Sequence, residues 1–107
     1  MSNKIKGIFM ALILATASNL AFADGKTFDD GAVAFIKGDG EAAYNIWKPL
    51  AEKGNTEAQY HLGYMFQTGT GVPADKTKAL YWYNMAAKNG NGKALVLAKV
   101  LEREIQH

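Results

Sequence analysis

The chain predicts an all-α fold, a short solenoid of helix–turn–helix repeats with about five antiparallel helices. Three observations lead there. The stretch from Glu41 to Phe66 is loosely rewritten 36 residues later, from Thr77 to Glu102: Ala43, Trp47, Ala51, Gly54 and Ala58 recur as Ala79, Tyr83, Ala87, Gly90 and Ala94. A fixed period of this size marks a repeat architecture, in which each unit buries its apolar face against its neighbours. Asp or Asn opens each helical run after the first, and glycine closes several of them. Within the runs, apolar residues keep helical spacing.

The first segment lies outside the domain. Lys4 and Lys6 precede an almost wholly apolar run from Ile8 to Ala17, and Ala21-Phe22-Ala23 has the small-x-small pattern of a signal-peptidase site. Residues 1–23 are expected to be a cleavable signal peptide and 24–107 the mature domain of an exported bacterial protein. Its expected place is the periplasm, with release from the cell as the alternative. The apolar run is shorter than the roughly 20 residues that span a bilayer, so no stable membrane anchor is expected after cleavage. No cysteine follows it to carry a lipid. The mature part holds ten basic and ten acidic residues. That balance leaves no basic stripe for phosphates, and nucleic acid is not an expected partner. Without cysteines, helix packing alone must hold the domain.

Helices are predicted over 27–37, 40–53, 56–68, 76–89 and 92–106. Phe28, Gly31, Ala32 and Phe35 form the first apolar stripe, and Ala43, Ile46, Trp47, Leu50 and Ala51 the second. The third is Ala58, Leu62, Met65 and Phe66; the fourth Ala79, Trp82, Tyr83, Ala86 and Ala87. Ala94, Leu97, Ala98, Leu101 and Ile105 close the set. Asp39, Asn55, Asp75 and Asn91 stand where a side chain can accept a bond from a first-turn N–H. Gly54 and Gly90 stand where a helix ends in a left-handed residue. Pro49 breaks the pattern, because it deletes the bond its N–H would make to the Asn45 carbonyl. A kink is expected there, with a break into two shorter helices as the alternative.

The run Ala58-Gln59-Tyr60-His61-Leu62-Gly63-Tyr64-Met65-Phe66 is followed by Gly69-Thr70-Gly71-Val72-Pro73. Lys78-Ala79, Trp82-Tyr83, Ala86-Ala87 and Gly90 come next. Together these residues closely resemble a Sel-one-like repeat, a helix–turn–helix unit related to the tetratricopeptide repeat. One full unit falls near 56–91, with a partial unit before it and a lone first-type (A-type) helix after it. The resemblance assigns structural roles to Ala58, Leu62, Gly63, Gly69, Gly71, Val72, Ala79, Trp82, Tyr83, Ala86, Ala87 and Gly90. Gly63 is expected to let the next helix cross closely; Lys99 stands at the matching place and marks a terminal cap. Gly69-Thr70-Gly71 has no following Lys-Ser/Thr and no preceding strand, so it reads as a tight turn with Val72 tucked inward.

Nothing points to catalysis, a cofactor or a metal site. HExxH, CxxC and nucleophile-elbow patterns are absent from the chain. Glu57 and His61 have the spacing of a surface pair, and Asp29-Asp30 read as helix-start residues. Some cysteine-rich relatives in the resembled family are linked to β-lactam or peptidoglycan-fragment binding or hydrolysis. Their disulfide framework is missing here, and that reading is kept only as an alternative.

The resemblance places the A-type helix of each pair on the concave surface of the stack. Gln59, Tyr60, His61, Tyr64 and Gln67 are the candidate partner-binding residues, since tyrosine offers large contact area with a polar tip. Packing of Tyr60 and Tyr64 between A-type helices is the alternative. On the last helix, Leu95, Val96 and Val100 form a candidate docking patch. Either that helix sinks against the earlier ones, the preferred reading, or it exposes the patch to a partner or second copy. The expected function is that of an adaptor or modulator binding a protein or peptide through the A-type helices. Docking of the last helix on a larger complex is the further alternative.

Overall fold

The computed structural model describes residues 25–107, so the expected signal peptide and its cleavage site lie outside the described residues. Five helices follow in order: α1 Phe28–Ile36, α2 Gly40–Glu52, α3 Thr56–Thr68, α4 Lys76–Lys88 and α5 Gly92–Gln106. No strand occurs among the described residues. Each helix packs against the next in the chain, which gives a stack without crossovers.

Local chemistry sets the boundaries. The side chains of Asp39, Asn55, Asp75 and Asn91 each accept a bond from the backbone N–H three residues on, capping α2 to α5. Thr27 caps α1 in the same way, and Asp30 answers it, its carboxylate accepting from the Thr27 N–H at 2.8 Å. That reciprocal box holds the Asp30 carboxyl below its usual value, chiefly through the Thr27 backbone N–H and next through the Thr27 hydroxyl.

Three of the four joints share one design. Gly38, Gly54 and Gly90 take φ of 87°, 100° and 102°, and each donates its N–H back into the last turn. The next residue donates one step deeper: Asp39 to Ala34, Asn55 to Leu50, and Asn91 to Ala86. This is the two-bond glycine stop of a helix, and its last member is already the cap of the next helix. The α3–α4 joint is longer and works differently. Its Gly71 lies so close to Gly40 that a Cβ on either would overlap the other's backbone. Val72 packs against the core from this loop.

The core is half alanine. Ala43, Ala51, Ala58, Ala79, Ala86, Ala94 and Ala98 are buried beside Trp47, Leu62, Met65, Phe66, Trp82, Tyr83 and Leu101. Small residues let helices approach while the rings fill the remaining space. Two glycines act as seats for those rings. A Cβ at Gly31 would fall inside the Trp47 indole, whose Nε1–H donates to the Phe28 carbonyl at 2.9 Å. A Cβ at Gly63 would lie 2.5 Å from the Tyr83 ring, the close helix crossing expected there.

Two expectations need correction, and one alternative falls away. α2 runs unbroken through Pro49, which excludes the split into two helices; the proline sits within the last turn, where one lost bond interrupts little. Ile105 is 42% exposed and not part of the buried core. The last helix does not sink: Leu95, Val96 and Val100 are 48%, 61% and 40% exposed, so the alternative reading of an exposed patch describes it.

Candidate functional site

The odd-numbered helices form one layer. Phe28 and Phe35 of α1 meet His61 and Tyr64 of α3 edge to face, at ring-centroid distances of 5.0 and 6.2 Å. On the other flank of α3, Tyr60 shares a depression of about 340 Å³ with Lys93, Val96 and Leu97 of α5. A second depression, of about 250 Å³, is lined by Phe35, Tyr60, His61 and Tyr64. Tyr60 is therefore a wall common to both.

The five candidate partner-binding residues do not share one environment. Tyr60 and Tyr64 open onto the depressions, Tyr64 being 40% exposed. Tyr60 also leans on the Tyr83 ring at 5.8 Å, so it packs and lines the surface at once. His61 is half-buried, 4.8 Å from the Trp47 ring. Its Nδ1 lies 2.9 Å from the Glu57 carbonyl oxygen, which can only accept, so this nitrogen carries the proton. The expected Glu57–His61 pair thus runs to the backbone and not to the carboxylate. Gln67 is partly committed inward, its Oε1 accepting from the Tyr83 hydroxyl at 2.7 Å. Burial pushes the Tyr83 phenol well above the usual tyrosine range, with the nearby Tyr60 and Tyr64 adding to it.

Gln59 is a correction. It is fully buried and touches no solvent. Its Nε2 donates to the Ala51 carbonyl at 3.0 Å, and its Oε1 accepts from the Asn89 amide at 2.9 Å. It therefore ties the C-terminal ends of α2 and α4 through α3, and is a structural tie, not a partner contact. Helical periodicity placed it beside Tyr60, but only long-range packing shows which polar residue is covered.

The docking patch also divides. Val96 adjoins Tyr60 in the larger depression, whereas Leu95 lies about 100° round the helix from it. No cluster of His, Asp and Glu that could hold a metal occurs among the described residues, and no described helix is long and apolar enough to cross a membrane.

The fold defines a helical-repeat protein related in architecture to tetratricopeptide-type solenoids. Residues 56–91, which hold α3, its loop, α4 and the following glycine turn, match the Sel1 repeat, so the chain carries one such repeat there. It is similar to chitin synthase regulatory factor 4 of Schizosaccharomyces pombe, with 34% identity over 77% of this chain and 14% of that protein. It is also 32% identical to the HRD3A component of an ERAD-associated E3 ubiquitin-protein ligase of Arabidopsis thaliana, over 63% of this chain and 10% of that one. Human sel-1 homolog 2 is 36% identical over 47% of this chain and 7% of its own length. The chain thus spans a small fraction of these relatives, and no solved structure matches it significantly. The first two are named as a regulator and as a component of an assembly, and proteins bearing this repeat act as adaptors or regulators through protein contacts.

Proposed function

We propose that the chain is a non-enzymatic, protein- or peptide-binding adaptor or modulator of the bacterial cell envelope, recognising its partner on the face made by α1, α3 and α5. One observation carries this reading. Of the eight large apolar residues that stand exposed among the described residues, seven lie on those three helices: Val33, Ile36, Tyr64, Leu95, Val96, Val100 and Ile105. Tyr81 on α4 is the exception. Exposed apolar surface gathered on one kind of element marks an interaction site more than scattered exposure does. Because Val96 shares a depression with Tyr60, the peptide face extends onto the last helix at Val96.

The names of the relatives support a regulatory role without chemistry of its own. Export rests on the charged, apolar and small-residue order of residues 1–23. A photo-crosslinking residue at position 64, expressed in cells, should give discrete protein adducts that disappear when Val96→Glu is added. The same probe at position 81 should give none of them. Equal adducts from both positions would sink the proposed face. Export is checked by mass: the mature protein should begin at Asp24, and one still beginning at Met1 refutes it.

A further inference from the structure

Four aromatic side chains converge on the smaller depression: Phe35 from α1, and Tyr60, His61 and Tyr64 from α3. No lysine, arginine or carboxylate lines it. Phe35 and Tyr64 stand at 65° to each other, and Tyr60 and His61 at 79°, so the rings form walls and not a flat stack. The face of an aromatic ring is the negative pole of its quadrupole and attracts a cation within about 6 Å. His61 keeps its Nδ1 proton on the Glu57 carbonyl, so that N–H is withdrawn from the space.

We infer that this depression is an aromatic cage for a quaternary ammonium group, carried by a choline-type head or by a trimethylated lysine. The inference rests on the preceding reading of this face as the recognition surface and names the chemistry it takes. A quaternary ammonium has no N–H to satisfy, so walls without a carboxylate cost it no hydrogen bond. A primary ammonium would exchange its water bonds for at most the few that the Tyr60 and Tyr64 hydroxyls and His61 Nε2 can accept. Lys93 lines the neighbouring depression beyond Tyr60 and disfavours a cation there, whereas no cationic side chain lines the four-ring space.

The test is an NMR titration of the purified full-length protein with choline and with 3,3-dimethylbutan-1-ol, its uncharged isostere. The choline methyl signals should move upfield through ring currents, and the isostere should bind about tenfold more weakly. N-acetyl trimethyl-lysine amide should outcompete the unmethylated lysine derivative. Whether choline or trimethyl-lysine binds tighter identifies the source of the group. Tyr64→Leu and Phe35→Leu should weaken choline binding several-fold with unchanged far-UV circular dichroism. Tyr81→Leu, on α4 and away from this face, should leave choline binding intact. Equal affinity for choline and its isostere would reduce the site to a plain apolar hollow and overturn the inference, as would absence of binding by both cations. Crosslinked partners at position 64 without choline binding would remove the cage and spare the adaptor reading; the reverse result would do the opposite.

Discussion

α3 and α5 are written on one template 36 residues apart and meet different surroundings. In α3, Ala58, Gln59, Leu62, Gly63, Met65 and Phe66 are buried, whereas in α5 only Ala94, Ala98 and Leu101 are. The positions the two share as buried face the preceding helix. Those buried only in α3 face the Tyr83 side of α4 and the ends of α2 and α4. In α5 their counterparts are Leu95, Lys99 and Glu102, all exposed. Both helices therefore keep one face buried and apolar, Ala58, Leu62 and Met65 in α3 and Ala94, Ala98 and Leu101 in α5. The other face is constrained only where a following helix lies on it.

The largest expected break in this comparison comes from exchanging residues at the crossing. Gly63→Val drives a branched side chain into the Tyr83 ring and should cost about 3 kcal/mol or more of unfolding free energy in urea. Lys99→Val, at the matching exposed place, should stay within about 0.5 kcal/mol. A similar loss in both variants would show that α5 is covered in solution.

The tie residue gives the next contrast. Gln59→Leu leaves the Asn89 amide without its acceptor and removes a donor from Ala51, at a cost of about 2 kcal/mol. Leu95→Gln should change stability by less than about 0.5 kcal/mol. Caps sharpen the comparison further. Asn55→Ala and Asn91→Ala should each cost about 1 kcal/mol. Amide exchange should then quicken across the whole core in the first variant, but mainly along α5 in the second.

The smallest effect lies at the other end, on α1, the remaining A-type helix. Asp30 has a folded pKa held below its ordinary value, so its contribution to stability is fully present above that value. It is lost as pH falls through the lower, folded one. Asp30→Asn should lower the melting temperature slightly at neutral pH and flatten the acid side of the profile, the two proteins converging as pH falls through the folded pKa. An identical acid profile for both proteins would mean the Thr27 box does not persist in solution.

Much of the fold was legible because its signals are local. Asp or Asn caps and left-handed glycines act within four residues, so the helix limits could be read to within one or two positions. The Thr27–Asp30 box was equally local and went unnoticed, since Asp29-Asp30 drew attention to the helix start and not to the threonine before it. The site was less legible. Gln59 and Tyr60 are neighbours on one polar-looking stretch, and only the positions of Ala51 and Asn89 decide that the first is covered. The four-ring space joins Phe35 to residues 25 or more positions away, which no helical period connects. The exposure of Val96 and Val100 likewise depends on what does not lie over α5.

The meeting of Gly40 and Gly71 carries a consequence for variation among such proteins. Two successive repeat units are joined there main chain to main chain, with no side chain between them. At that point the approach of one unit to the next is set by peptide geometry, beside side-chain ties such as Gln59 to the Ala51 carbonyl. The proposed recognition face can vary at exposed residues such as Tyr64, Val96 and Val100 without touching that contact. A library that randomised positions 60, 64, 96 and 100 and left both glycines untouched would vary what is recognised on an unchanging frame.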